Sequence, residues 1–217
     1  MGETPGPPFA VDAVCFDLLT ALLDSWSLWE AVAAAAGYPG RGQPWRHEAL
    51  RQVTASGEYR PYAEPLRAGA VATGLPSQLA DQLLARWGEL RPFPEVPAML
   101  ARLRARATLP LATATNCPEV LARQAAAALG NPFAVVVSAE RAGAYKPDPR
   151  PYHLALTELD LPPARVLFVA GSAHDVGGAL RAGLPVVWVN RLGLPTPPDA
   201  GGAVVVSGLS GLPDLLA

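Results

Sequence analysis

Lysine is almost missing from this chain: of its 17 basic residues 16 are arginine, and Lys146 stands alone. An arginine bias that spares a single position has two readings: a place where a compact, three-donor ammonium on a slim stem is needed and a wide planar guanidinium does not serve, or the chance survival of one surface lysine facing water. Cysteine is scarce as well. Cys15 and Cys117 each lie in an apolar run with no metal-ligand spacing between them, so a disulfide framework is excluded and a reducing cytoplasm suits the thiols. Charge of either sign is thin, 17 basic against 19 acidic residues. No basic excess is left to neutralise a phosphate backbone or an anionic membrane surface, so nucleic acid and membrane are not expected partners. No apolar run approaches the roughly 18 residues that span a bilayer, and residues 1–10 carry neither a basic nor an apolar leader segment. The expectation is a cytoplasmic protein whose partner is a small molecule.

What is present is apolar material. Half of the 217 residues are hydrophobic, enough for one dense core, or one core carrying a smaller insertion. The Pro/Gly-rich opening around Pro5 and Pro8 is expected to fray. Short continuous apolar runs at Ala13–Phe16, Leu109–Ala114, Phe133–Val137, Val166–Ala170, Val186–Val189 and, more weakly, Val204–Val206 read as parallel strands buried on both faces. Helical spacing lies between them at Pro118–Leu129, Pro151–Leu159 and Asp175–Ala182. Strand and helix alternate, so the fold class is α/β with a doubly wound parallel sheet. Between Asp24 and Pro92 the alternation stops, and four amphipathic stretches (26–36, 45–55, 63–73, 77–90) replace it. They read as a helical cap, residues 24–91, inserted after the first strand into a core built from 1–23 and 92–217. An insertion there overhangs the ligand crevice at the carboxyl ends of the strands.

Polarity gathers at those strand ends. Asp17 follows the first strand, Thr115 and Asn116 close the second, Lys146 lies in the loop after the third, and Ser172 to Asp175 follow the fourth. A carboxylate beside a buried strand is costly alone, and an ammonium compensates it and keeps it ionised. Asp17 with Lys146 forms such a pair, equipped to attack an electrophilic carbon or phosphorus. Plainer readings stand beside this one. Asp17 could cap a turn, Thr115 and Asn116 could satisfy backbone groups, Asp175 could be a helix N-cap, and His174 could assist water or face solvent. Trp26, Trp29, Trp45 and Phe93 read as packing, with one of them a candidate for the pocket wall.

In this order the motifs resemble the haloacid dehalogenase superfamily of hydrolases, which places an aspartate nucleophile on a Rossmann-like core with a cap. The 2-haloacid dehalogenase branch is matched through Phe16-Asp17-Leu18, Trp45-Arg46, the return segment 92–97, the run from Tyr145 to Tyr152, Leu167-Phe168-Val169 and Trp188-Val189-Asn190-Arg191. The resemblance implies that Asp17 is the nucleophile and Lys146 its charge partner. It implies that Arg46 and Asn116 cradle the departing halide, and that Thr115 holds the substrate carboxylate or the nucleophile's surroundings. Asp175 would fix Lys146 and position water, Tyr152 would support the lysine loop, and Thr20 and Ser172 would play supporting parts. A homodimer is implied too. No metal or other cofactor is expected, because the phosphatases' second aspartate is Leu19 here and an acidic metal-binding position is Ser172. Two departures stand out. The family's Gly-Thr after the nucleophile is Thr20-Ala21, which displaces the hydroxyl by one residue. Its Ser-Ser-Asn-x-x-Asp is Ala170-Gly171-Ser172-Ala173-His174-Asp175. The alternatives carried forward are a magnesium-dependent phosphatase with a degenerate metal site and a ligand-binding protein that keeps the fold without turnover.

Overall fold

The computed structural model describes residues 8–217, so the expected fraying of the opening segment falls on residues outside those described, apart from Pro8. Six strands form one sheet: β1 (Ala13–Phe16), β2 (Leu111–Thr115), β3 (Val135–Ser138), β4 (Val166–Ala170), β5 (Val186–Val189) and β6 (Val204–Val206). All pairings are parallel, in the order β3-β2-β1-β4-β5-β6. The continuous apolar runs follow from burial on both faces. Val14 and Phe16 of β1 enter one core cluster while Ala13 and Cys15 enter the other, and β4 divides in the same way between Leu167, Val169 and Val166, Phe168, Ala170. Two strands start later than their apolar runs. Leu109 donates to Arg106 in a turn and Pro110 has no N–H to offer a ladder, so β2 begins at Leu111. Phe133 precedes β3 and sets its ring edge-on to Phe16 instead.

Four helices occupy the interval between β1 and β2 that the sequence reads as an insertion: α1 (Ser25–Ala35), α2 (Gly42–Ser56), α3 (Ala63–Ala72) and α4 (Leu79–Ala85). The stretch 77–90 does not form a single helix, because α4 gives way to a 3-10 turn at Trp87–Glu89 around Gly88. Trp45 sits at the heart of this layer, 4.5 Å from the Trp29 ring and donating its indole N–H to the Leu66 carbonyl. The chain leaves and returns side by side: Asp24 N–H donates to Arg91 O at 2.8 Å and Phe93 N–H to Leu22 O at 3.0 Å. Arg191, at the end of the Trp-x-Asn-Arg run, stacks 3.8 Å over Phe93 and binds Glu95 and Ala21 O, which ties the returning chain to the core.

The remaining helices are α5 (Val96–Arg104), α6 (Glu119–Ala127), α7 (Ala139–Ala142), α8 (Pro149–Leu159) and α9 (Ala173–Arg181). α5 is a helix beyond those expected from the sequence, and its Val96, Met99, Leu100 and Leu103 form the buried stripe. The strand order reverses at β1, which has β2 on one side and β4 on the other. A crevice therefore opens at the carboxyl ends of β1, β2 and β4, beneath α1 and α2. No helix among the described residues is long and apolar enough to cross a membrane.

Candidate active site

Asp17 is the first residue past β1, and its N–H continues the ladder to Val169 O at 2.9 Å. Its carboxylate is almost wholly buried at 6% exposure. Lys146 Nζ lies 3.0 Å from Asp17 Oδ1 and 2.8 Å from Asp175 Oδ2, and is itself 1% exposed. The chain's one lysine is thus an ammonium held between two buried carboxylates, with the Phe168 ring 5.3 Å away. Burial alone would raise the Asp17 carboxyl, but the Lys146 charge and hydrogen bonds from Thr20 and Lys146 hold it below its ordinary value. Burial pushes Asp175 the other way, and with the neighbouring Asp17 charge it outweighs Lys146 and Arg46, so this carboxyl is raised to about 6. Burial acts to lower the Lys146 ammonium, yet its two carboxylate partners raise it above its usual value.

The supporting residues fall into place with corrections. Asn116 clamps the main chain of Lys146, accepting from its N–H at 2.7 Å and donating to its carbonyl at 3.0 Å. Thr115 is not on the pocket wall: it is fully buried and its hydroxyl lies 3.6 Å from Cys117 Sγ. As the last residue of β2 it turns into the sheet, and Asn116, one residue further, meets the cavity. Asp175 is not an N-cap. Ser172 occupies that position, with its carbonyl accepting from Asp175 N–H, and Asp175 sits in the first turn of α9 with its carboxylate committed to Lys146. Tyr152 supports this aspartate more directly than the lysine loop, donating its hydroxyl to Asp175 O at 3.2 Å. His174 is exposed and turned toward His47, with ring centroids 6.5 Å apart, outside the inner pocket.

The two departures from the family pattern fit each other. Thr20, displaced by one residue, still reaches Asp17: its hydroxyl and its N–H donate to Asp17 Oδ2 at 2.7 and 3.2 Å. It does so by lying against Gly171, where an added Cβ would stand 2.2 Å from Ala21 N and 2.5 Å from Thr20 Oγ1. A side chain at 171 and this placement of Thr20 exclude one another. Gly171→Ala is therefore expected to push the 18–21 loop off Asp17 and to lower kcat/KM by roughly 10- to 100-fold, the cost of about an ångström of misplacement. A double-mutant cycle with Thr20→Val checks the route, since a loss that runs through Thr20 is less than additive.

Above these core groups a cavity of about 50 Å³ is closed by Ser25, Trp29, Arg46, Ala49, Leu50, Val53, Tyr62 and Leu66. Of the four aromatic candidates, Trp29 reaches this wall, while Trp26 lines a larger outer hollow of about 420 Å³ beside it. Arg46 borders both, its guanidinium 6.0 Å from the Trp26 ring, and it makes no hydrogen bond or ion pair with any described residue. Arg46 is legible in the sequence, but Ser25, Leu50, Val53, Tyr62 and Leu66 are not, because helical spacing alone does not say which face of an inserted helix overhangs the crevice. The chemical capacity of the arrangement is specific. An ionised carboxylate, oriented by Thr20 and Lys146, faces a small, largely apolar chamber bordered by the Arg46 guanidinium.

Comparison with known proteins agrees. The family model described as haloacid dehalogenase-like hydrolase matches residues 11–183. An (S)-2-haloacid dehalogenase of Pseudomonas putida is 33% identical over 84% of this chain and 87% of its own length, and one of Xanthobacter autotrophicus is 35% identical over 84% and 76%. The solved structure of L-2-haloacid dehalogenase from Xanthobacter autotrophicus superposes with a TM-score of 0.79 at 29% identity, covering 94% of this chain and 98% of that one. The same enzyme with chloropropionic acid covalently bound gives 0.78, with the same identity and coverage. Fold, site geometry and relatives converge, and the chain belongs to the haloacid dehalogenase-like hydrolase family.

Proposed function

We propose that this hydrolase releases halide from short-chain 2-haloacids through an ester formed on Asp17. The observation that carries the reading is the buried Lys146 ammonium at 3.0 and 2.8 Å from Asp17 and Asp175. It keeps a desolvated nucleophile charged while leaving an Asp17 Oδ1 lone pair for attack. In the first step that oxygen bonds to the carbon bearing the halogen, and the carbon–halogen bond breaks with both electrons leaving on the halide. Arg46, which makes no hydrogen bond or ion pair with a described residue, stabilises that charge. Asn116 contributes chiefly by holding the lysine in place. In the second step water attacks the aspartyl carbonyl carbon and the acyl C–O bond breaks. The hydroxyacid departs, Asp17 is restored as a carboxylate and one proton is released, with Asp175 placed to orient the water and accept that proton. The covalent chloropropionate in the Xanthobacter autotrophicus structure supports this route.

Magnesium fits the residues poorly. Both carboxylates are already bonded to Lys146, and Leu19 and Ser172 supply no further acid, whereas a hard cation requires several oxygen ligands. The phosphatase reading therefore gains no support. We take residues 24–91 as the cap and 1–23 with 92–217 as the core, in a cytoplasmic protein whose buried Cys15 and Cys117 stay reduced.

Turnover of chloroacetate and 2-chloropropionate, followed by halide release, tests the proposal. EDTA leaves the rate unchanged, and p-nitrophenyl phosphate is not cleaved with or without magnesium. The acid limb follows from Asp175, raised to about 6. Below that pH it is protonated and cannot accept the water's proton, so kcat falls about tenfold per pH unit wherever ester hydrolysis limits. Magnesium-dependent phosphate release without halide release would contradict the reading.

A further inference from the structure

With Thr115 turned away from the cavity, the polar groups that remain on its walls can be accounted for one at a time. Thr20 donates to Asp17, Lys146 to two carboxylates, and Asn116 to the lysine carbonyl. Arg46, Tyr62 and Ser172 also border the cavity without a side-chain hydrogen bond among the described residues, but of these unpartnered groups Ser25 is the one whose polar atom is wholly buried: the residue is 2% exposed and its hydroxyl has no hydrogen-bond partner among the described residues. A buried hydroxyl without a partner is destabilising, and an acceptor supplied by a ligand removes that cost. Its position is rigid. Asp24 caps α1 by accepting from Ser27 N and Oγ at 3.0 and 2.6 Å, Ser25 N–H donates to Leu23 O at 2.9 Å, and Trp29, one turn on, lines the same wall. The substrates proposed above bring one obligatory acceptor, a carboxylate.

We propose that Ser25 is a substrate-binding residue whose hydroxyl donates to the carboxylate of the bound acid, leaving Arg46 to the departing halide. The assignment rests on the haloacid reading for the identity of the acid, and on the unpartnered hydroxyl for the residue. Its consequence has two signs. Removing the hydroxyl takes away an unpaired buried group in the empty enzyme, so Ser25→Ala is as stable as the parent or more so. The same change takes a charge-assisted donor from the ligand, so carboxylate affinity falls.

The test uses propionate, which carries the carboxylate but no leaving group, with the parent and Ser25→Ala proteins. Calorimetry is expected to show propionate affinity about 10-fold weaker in the variant, and KM for 2-chloropropionate to rise by the same factor with kcat within about threefold. The melting temperature without ligand does not fall. Equal propionate affinity in the two proteins overturns the assignment, as does a weaker affinity accompanied by a lower melting temperature, or no propionate binding by the parent. A parent that binds propionate through Ser25 yet releases no halide would leave this assignment standing and sink the haloacid reading instead.

Discussion

Lys146→Met is expected to lower kcat/KM for 2-chloropropionate by about a thousandfold or more at neutral pH, with a residual rate that climbs as pH rises. Methionine fills much of the same slot but leaves Asp17 and Asp175 as two buried carboxyls with no cation between them, where the parent has an ammonium at 3.0 and 2.8 Å. Like charges in a shared low-dielectric site cannot both ionise, so Asp17, now held below its ordinary value, moves well above it. A shift of about four to five units above the ordinary value leaves about a tenth to a hundredth of the nucleophile ionised at neutral pH, and loss of the ammonium that positions Asp17 supplies the rest of the expected fall. The pH profile separates this cause from simple misfolding, because each unit of rising pH restores about tenfold until Asp17 is ionised. Stability moves in the opposite direction. Carboxyls whose folded pKa lies above the unfolded value bind protons more tightly in the folded chain, so the variant loses stability as pH rises from about 4 toward that raised value. Denaturant midpoints at acid and neutral pH measure this. An activity loss that ignores pH would remove the electrostatic role given to Lys146. Arginine is not expected to rescue, since its planar fork cannot occupy a slot that is 1% exposed and walled by Phe168.

Asp17→Asn is expected to abolish halide release, by about 10⁴-fold or more, with the fold retained but stability lowered, since the amide NH2 faces the Lys146 ammonium in place of a carboxylate oxygen. The amide oxygen can still accept from Thr20 N and Oγ1, which bond one carboxylate oxygen at 3.2 and 2.7 Å in the parent. What it lacks is a charged lone pair for displacement at carbon, and Asp175, its Oδ2 committed to Lys146, is not expected to replace it. The variant is expected to bind propionate as the parent does, since none of the cap groups is altered. Halide release assayed at high enzyme concentration, beside a propionate titration, separates loss of chemistry from loss of binding.

Much of the core was legible because sheet burial writes itself into sequence. Ala13–Phe16, Val166–Ala170 and Val186–Val189 match the observed strands end for end, since residues buried on both faces leave an unbroken apolar run, whereas Val204–Val206 matches in extent but is an edge strand with Val205 exposed, not the doubly buried strand its run suggests. Asp17, Lys146 and Asp175 were legible for a related reason: polarity at the end of such a run needs an explanation, and a solitary lysine supplies one. Thr115 failed because strand-end residues alternate faces, and a one-residue difference decides whether a hydroxyl meets Cys117 or the cavity. Asp175 was open to reading as a cap because Ser172 and Asp175 both suit the start of a helix, and only the third dimension brings Lys146 to one of them. The partnership of Thr20 with Gly171 was invisible for the same reason. Two departures separated by about 150 residues look like independent losses until a missing Cβ and a displaced hydroxyl are found in contact. The cap wall was the least legible part, because Ser25, Leu50, Val53 and Leu66 owe their roles to the way α1, α2 and α3 pack over the crevice.

The claim on which the rest depends is that the oxygen delivered to the substrate comes first from Asp17 and only afterwards from water. A single turnover of 2-chloropropionate in ¹⁸O-enriched water, with enzyme in excess, measures it directly. The account predicts a hydroxyacid whose new hydroxyl carries unlabelled oxygen, and one heavy oxygen retained in the peptide containing Asp17. Heavy oxygen in the product of that first turnover, with Asp17 unlabelled, would show direct attack by water and contradict the account.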